Sequence, residues 1–256
     1  MTGHRVDDPA SLPACVLVLA KAPEPGRVKT RLTPPATPHQ AADIAAAALL
    51  DTLDAISASG SRTAVALTGR LSGSARAEAI RVLLRRCVVF PQRGKGFGER
   101  LANAHVHARR LYPCGPVLQI GMDTPQISAD LLRASCEPLR SKRTDGALGM
   151  AADGGWWALG LRDPRHAAVL RCVPMSRSDT GERTLRALRA LGLRIAALPE
   201  LVDVDEMRDA RQVAGMLPAS RFGRAVAAVT GARAVPSTRA VPVASGSAAR
   251  PWQGSA

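Results

Sequence analysis

From residue 14 onward the chain switches repeatedly between two hydrophobic periods. Cys15 to Ala20 (CVLVLA) is an unbroken apolar run with β-branched members, the pattern of a strand buried on both faces. The stretch 38–59 then carries Leu49, Leu53 and Ile56 at helical spacing and is closed by Gly60, which predicts a helix. The alternation continues with a strand over 63–67, a helix over 74–84, a strand over 87–90, a helix over 99–111 and a strand over 117–122. Ser128 can cap a helix reaching residue 139. Two strands, 146–150 and 156–161, flank AADGG, and a helix over 181–191, a strand over 194–198 and a helix over 206–216 follow. This order predicts an α/β protein with a mostly parallel central sheet and helices on both faces. It divides the chain into a flexible leader (1–13), one domain (14–217) and an Ala-, Pro- and Ser-rich basic tail (218–256) expected to be largely disordered. No internal repeat is visible.

Composition narrows the function classes. A formal charge of +14 on 256 residues suits an anionic partner, from nucleic acid to a phosphorylated small molecule. The segment from Pro218 onward holds five Arg and no acid, so part of that charge lies outside the expected core. One Tyr, three Phe and three Trp are too few for a base-stacking platform, and no recognition motif accompanies the charge, which argues against nucleic acid. The five Cys are scattered without a CxxC pair, fitting a reducing cytoplasm better than a disulfide framework or zinc site. The leader lacks a signal-peptide core, and no apolar run approaches membrane-spanning length.

Several loops carry candidate chemistry, each with a purely structural alternative. Lys21, Arg27, Lys29 and Arg31 follow the first strand in KAPEPGRVKTRL, with Gly26 at a turn. A Gly-containing basic loop at a strand's carboxyl end suits a diphosphate, although it lacks Walker A spacing; the alternative is a solvated basic loop. Asp123 in GMDTP is placed to hold a divalent cation or to start a helix. Asp153 with Gly154 and Gly155 reads as a site carboxylate or as a plain Asp-Gly hairpin turn. Trp156 and Trp157 enter a strand, so one faces a pocket if the other faces the core. In DVDE, Asp203 and Asp205 would point the same way on an extended segment, giving hard oxygen ligands; acids at a helix N-terminus are the alternative. Gly94, Gly96 and Gly98 form a second close-approach loop leading into Glu99 and Arg100, without the GxGxxG spacing. Ser176, Ser178 and Thr180 could contact a substrate or cap the next helix. His105 and His107, two apart on a helix, face different ways and make a poor metal pair.

KAPEPGRVKTRL, GFGER, GMDTP, DGGWWALGL and DVDE in that order resemble the bacterial family known as the radical-SAM/selenodomain-associated transferases, a GT-A-superfamily glycosyltransferase-like group, in an actinobacterial style. The resemblance covers about residues 14–215. It implies a GT-A (Rossmann-like) nucleotide-diphospho-sugar transferase fold that takes a nucleotide sugar, or a nucleoside triphosphate, together with Mg or Mn and a small-molecule acceptor. It implies that Lys21, Lys29 and Arg31, with Gly26 and the Gly98-Glu99-Arg100 segment, hold the nucleotide phosphates. Asp123 and Asp205 would be the metal ligands and, with Asp153, the catalytic carboxylates. Gly154, Gly155, Trp156, Ser176 and Thr180 would line the substrate. The chain departs from the family at Trp156-Trp157, at Met175-Ser176-Arg177 and at Glu206, where the usual residues are Tyr-Tyr, Trp-Ser-Thr and Thr. These departures bear on the acceptor side. Glycosyl transfer, nucleotidyl transfer and non-catalytic nucleotide binding are the functional alternatives.

Overall fold

The computed structural model describes residues 14–113 and 115–231, so the expected leader and the stretch from 232 onward lie outside the described residues. Seven strands form one sheet. They are β1 (Cys15–Lys21), β2 (Arg62–Thr68), β3 (Val88–Pro91), β4 (Val117–Ile120), β5 (Gly146–Ala151), β6 (Trp156–Leu161) and β7 (Ile195–Leu201), in the order β3-β2-β1-β4-β6-β5-β7. β1 pairs parallel with β2 and β4, β2 with β3, and β5 with β7, while β6 runs antiparallel to both neighbours, β4 and β5. The reversal matters for function. It brings the start of β6, at Trp156, to the same rim as the carboxyl ends of the other strands.

The helices are α1 (Pro38–Ser59), α2 (Ala77–Leu84), α3 (Phe97–Leu111), α4 (Ala129–Arg140), α5 (Thr180–Ala190), α6 (Met207–Met216) and α7 (Arg221–Thr230). Each strand of period-2 apolar character feeds both faces. On β1, Val16, Val18 and Ala20 join the core under α1, α2 and α4, whereas Cys15, Leu17 and Leu19 join the core under α3 and α5. A 3-10 helix over Pro164–Arg171, not expected from the sequence, packs beside α3. The contact is close because Gly98 has no side chain: a Cβ there would stand 2.1 Å from the Leu170 carbonyl oxygen.

The expected disordered tail does not begin at 218. Ser220 caps α7 by accepting from the Gly223 amide, and Phe222, Ala225 and Val226 are buried against α1 and α6 with Ile44, Ala48 and Val213. Arg221 bonds Asp51 and Asp54 on α1 at 3.1 and 2.6 Å, and the Phe222 amide donates to Asp51. Ala- and Arg-rich composition disguised a ten-residue amphipathic helix whose apolar stripe is only visible against its partner helices. No helix among the described residues is long and apolar enough to cross a membrane.

Candidate active site

The loaded loops converge on one cleft of about 670 Å³ at the carboxyl rim of the sheet, where open parallel sheets place ligands. The loop after β1 is shaped by three local devices. The Arg27 amide closes a turn onto the Glu24 carbonyl, with Gly26 at φ 72°. Glu24 accepts from the Arg70 amide beyond β2, which together with the Arg27 guanidinium holds its carboxyl below the usual range. Lys29 itself is left-handed (φ 47°, ψ 41°), a costly conformation for a non-glycine residue. Leu32, fully buried after a 3-10 turn over Thr30–Leu32, holds it there.

That backbone geometry sends the Lys29 side chain inward until only 9% of it is exposed. Its Nζ stands 3.0 Å from Asp123 Oδ1 and 3.3 Å from Asp205 Oδ1, and Arg31 meets Asp205 Oδ2 at 3.3 Å. Burial disfavours the ammonium, but the two carboxylates outweigh it and raise the Lys29 pKa. The two acidic loops are tied to each other as well. The Val204 amide donates to the Asp123 carbonyl, Gln126 Nε2 donates to the Val202 carbonyl at 2.8 Å, and Thr124 Oγ1 donates to Asp203 at 3.4 Å.

The structural alternatives separate here. Ser128, not Asp123, caps α4 by accepting from the Leu131 amide. Glu206 caps α6 in a reciprocal box with Asp209, so the helix dipole accounts for Glu206 and leaves the Asp205 carboxylate to Lys29 and Arg31. Asp153 does form the hairpin turn, its Oδ1 accepting from the Gly155 amide at 2.8 Å, yet it also borders the cleft. Asp203, not singled out for a role beyond pairing with Asp205, is the most perturbed carboxyl of the cleft. Burial, then the charges of Asp123 and Asp153, push its pKa up to about 7 against the opposing effect of Lys29.

Of the sequence-predicted site residues, Lys21, Lys29, Arg31, Arg100, Asp123, Asp153, Gly155, Trp156, Ser176, Thr180 and Asp205 border the cleft. Gly26, Gly98, Glu99 and Gly154 do not; they shape its loops. Glu99 accepts from the Lys95 amide and closes the glycine loop. At Gly154, φ is 86° and a Cβ would stand 1.8 Å from the Ser178 carbonyl oxygen. Thr180 bonds the Pro174 carbonyl and accepts from the Arg177 amide, holding the 175–178 loop. Trp157 is buried and donates to the Pro199 carbonyl, leaving Trp156 for the cleft. Gln92, passed over in the sequence, donates to the carbonyls of Ala20 and Ala66, both at 2.9 Å, pinning the ends of β1 and β2. Phe97 was missed too, and nothing in its local sequence marks it; Arg177, which the sequence marked only as a departure from the family pattern, also borders the cleft.

A divalent cation suits this donor set only in part. Asp123 and Asp205 offer hard oxygens beside further carboxyls at Asp153 and at Asp203, whose pKa is raised first by burial and then by the neighbouring carboxylates. However, no three Asp, Glu, His or Cys among the described residues are arranged to hold a metal by themselves. The set fits an ion bound by one or two carboxylates and completed by phosphate oxygens and water, the usual manner of Mg²⁺.

The fold is that of the nucleotide-diphospho-sugar transferases. A solved structure from Desulfovibrio desulfuricans G20, provisionally named a nucleotide-diphospho-sugar transferase, matches with TM-score 0.74 at 23% identity over 86% of this chain and 97% of that one. A 4-diphosphocytidyl-2C-methyl-D-erythritol synthase matches with TM-score 0.54 at 12% identity over 81% and 100%. A cytidylyltransferase from Leptospira borgpetersenii serovar Hardjo-bovis matches with TM-score 0.50 at 10% identity over 91% and 100%. By sequence, residues 52–177 match a family described as an uncharacterized protein conserved in bacteria (DUF2064), a span that includes Asp123 and Asp153 but neither Lys29 nor Asp205. No curated protein matches the chain.

Proposed function

We propose that this chain is a metal-dependent glycosyltransferase of the GT-A type, taking a nucleotide-activated sugar and a small-molecule acceptor. The observation that carries the reading is the meeting of Lys29 with Asp123 and Asp205 in the rim cleft. One cationic loop and two acidic loops, remote in sequence, address the same point. Lys21, Lys29 and Arg31 would bind the diphosphate and take up the charge that grows on it as the glycosidic bond breaks. Asp123 and Asp205 would hold Mg or Mn, which when bound supplies Lewis-acid stabilisation of the departing phosphate. Asp153, with one oxygen held by the Gly155 amide, would take the proton of an acceptor hydroxyl with the other. Gly155, Trp156 and Ser176 would border the sugar and acceptor.

Nucleotidyl transfer is the second reading, favoured by the basic set around the cleft, which is large enough for a triphosphate, and by a fold shared with cytidylyltransferases. The same residues would then release pyrophosphate. Affiliation with the radical-SAM-associated group and an actinobacterial style remain part of the proposal, to be checked by gene neighbourhood.

Purified protein with Mn or Mg is screened against nucleotide sugars and nucleoside triphosphates. Release of nucleoside diphosphate supports glycosyl transfer, pyrophosphate the second reading, and binding without turnover a non-catalytic domain. Asp123→Ala is expected to abolish metal-dependent turnover with an unchanged circular-dichroism spectrum, and Lys29→Ala to weaken nucleotide binding by about tenfold or more, the loss of one charge-assisted contact. Wild-type turnover in the first variant would refute the assignment of Asp123.

A further inference from the structure

The cleft has two unlike walls. Lys29 and the acidic loops stand on the α1 side, their backbone anchored by Val28, Leu32, Met122 and Val204 in the cores beneath α1. The facing wall belongs to the other side of the sheet. Leu101, Trp156 and Met175 pack with the core beneath α3, and α3 is drawn against Met175 by the absence of a side chain at Gly98, where a Cβ would lie 3.1 Å from Met175 Cε.

Two residues of this second wall, Phe97 and Arg100, border the cleft with little to hold them. Phe97, at the first turn of α3, is 52% exposed although it borders the cleft. Its ring offers apolar area at the cleft mouth that a bound flat or apolar group would cover. Arg100 lies one turn further on. Its Nε donates to the Gly94 carbonyl at 3.3 Å, which orients the guanidinium, yet it makes no ion pair among the described residues. Arg177 differs, since it is engaged with Asp179. Ser176, between Met175 and Arg177, is left-handed (φ 59°), a strained conformation of the kind kept at binding loops.

We propose that Phe97 and Arg100 form the acceptor subsite, and that the acceptor is an organic anion with a flat or apolar body. The ring covers the body and the guanidinium pairs with the carboxylate or phosphate. The proposal rests on the transferase reading and deepens it. It also moves Arg100 away from the nucleotide phosphates, where sequence reasoning placed it: those belong to the Lys29 wall.

Nucleoside diphosphate with Mg²⁺ is first titrated into the full chain by calorimetry; absence of binding would refute the transferase reading by itself. Then 1-naphthoate and its neutral counterpart 1-naphthamide are titrated, into the nucleotide-loaded protein if nucleotide binds and into the free protein if it does not. Naphthoate is expected to bind alongside nucleotide, with naphthamide about tenfold weaker, Arg100→Gln losing about tenfold and Phe97→Ala about fivefold for naphthoate. Arg100→Lys, which keeps the charge, is expected to retain part of the affinity, and it serves if Arg100→Gln fails to fold. Nucleotide affinity stays within about twofold of wild type in all three variants. The proposal is overturned if naphthoate does not bind, if naphthamide binds as well, if nucleotide displaces naphthoate, or if the Arg100 variants lose nucleotide affinity instead.

Discussion

At the scale of single residues, backbone conformation decides what a charge can do. Lys29 is one of several cations in its loop, but its left-handed backbone and the buried Leu32 turn it inward while Arg27 and Arg31 stay in solvent. Asp205 and Glu206 are neighbours of the same type, and capping geometry sends one to the helix and the other to the cleft. His105 shows the opposite outcome, a polar residue with nowhere to go. It is fully buried on α3, and neither ring nitrogen has a hydrogen-bond partner of ordinary geometry. Burial drives its pKa down to about 3, with Gln119 opposing in part. The unfolded chain therefore binds a proton below about pH 6.5 that the folded chain refuses. The His105 contribution to stability is complete above pH 6.5 and is lost progressively as the pH falls toward 3, by roughly 1.4 kcal/mol per pH unit. Urea denaturation of His105→Leu between pH 4 and 6 should show a pH slope shallower by about that amount than wild type. Equal slopes would mean that His105 does not titrate as its burial requires.

At the scale of elements, periodicity was an adequate guide wherever an element makes its own pattern. The strands and α1 to α6 fall within a few residues of the expected bounds, and the DGG turn is the hairpin that Asp-Gly predicts. The misses are elements whose pattern depends on a neighbour. The 3-10 helix over Pro164–Arg171 packs on α3 where Gly98 allows close approach, and α7 packs in an apolar groove of α1 and α6 with Asp51 and Asp54 beside it. Phe222 is the anchor of α7 and is fully buried. Phe222→Ala should cost about 3–5 kcal/mol, the usual loss for a buried aromatic, read as a lower urea midpoint. A change below about 1 kcal/mol would show α7 to be a loose appendage.

At the scale of the whole molecule, the reversed β6 and the order of the strands set the site. Parallel β1 to β4 bring the basic loop and Asp123 to one rim; β6, running the other way, delivers Trp156 there as well. Because no three ligands among the described residues are pre-arranged for a metal, the proposed function requires cation and polyphosphate to bind as a unit. Thermal melts should show Mg²⁺ raising Tm only when nucleotide is present, with EDTA leaving the nucleotide-free Tm unchanged within about 1 °C, since a ligand stabilises only the state it binds. A metal-dependent Tm without nucleotide would point to a protein-only site.

What the amino-acid sequence determined alone was the alternation of strands and helices and the chemical character of each loop, because both are carried by residues close together in the chain. The placement of those loops against one another was not written locally. Lys29 and Asp205 are 176 residues apart, and they meet only because strand order and parallel pairing bring their strand ends to one edge. The same holds for the two walls of the cleft. The face of the sheet on which α1 or α3 lies follows from how the whole chain winds, so only the folded structure could bring Lys29, Phe97 and Arg100 to one cleft.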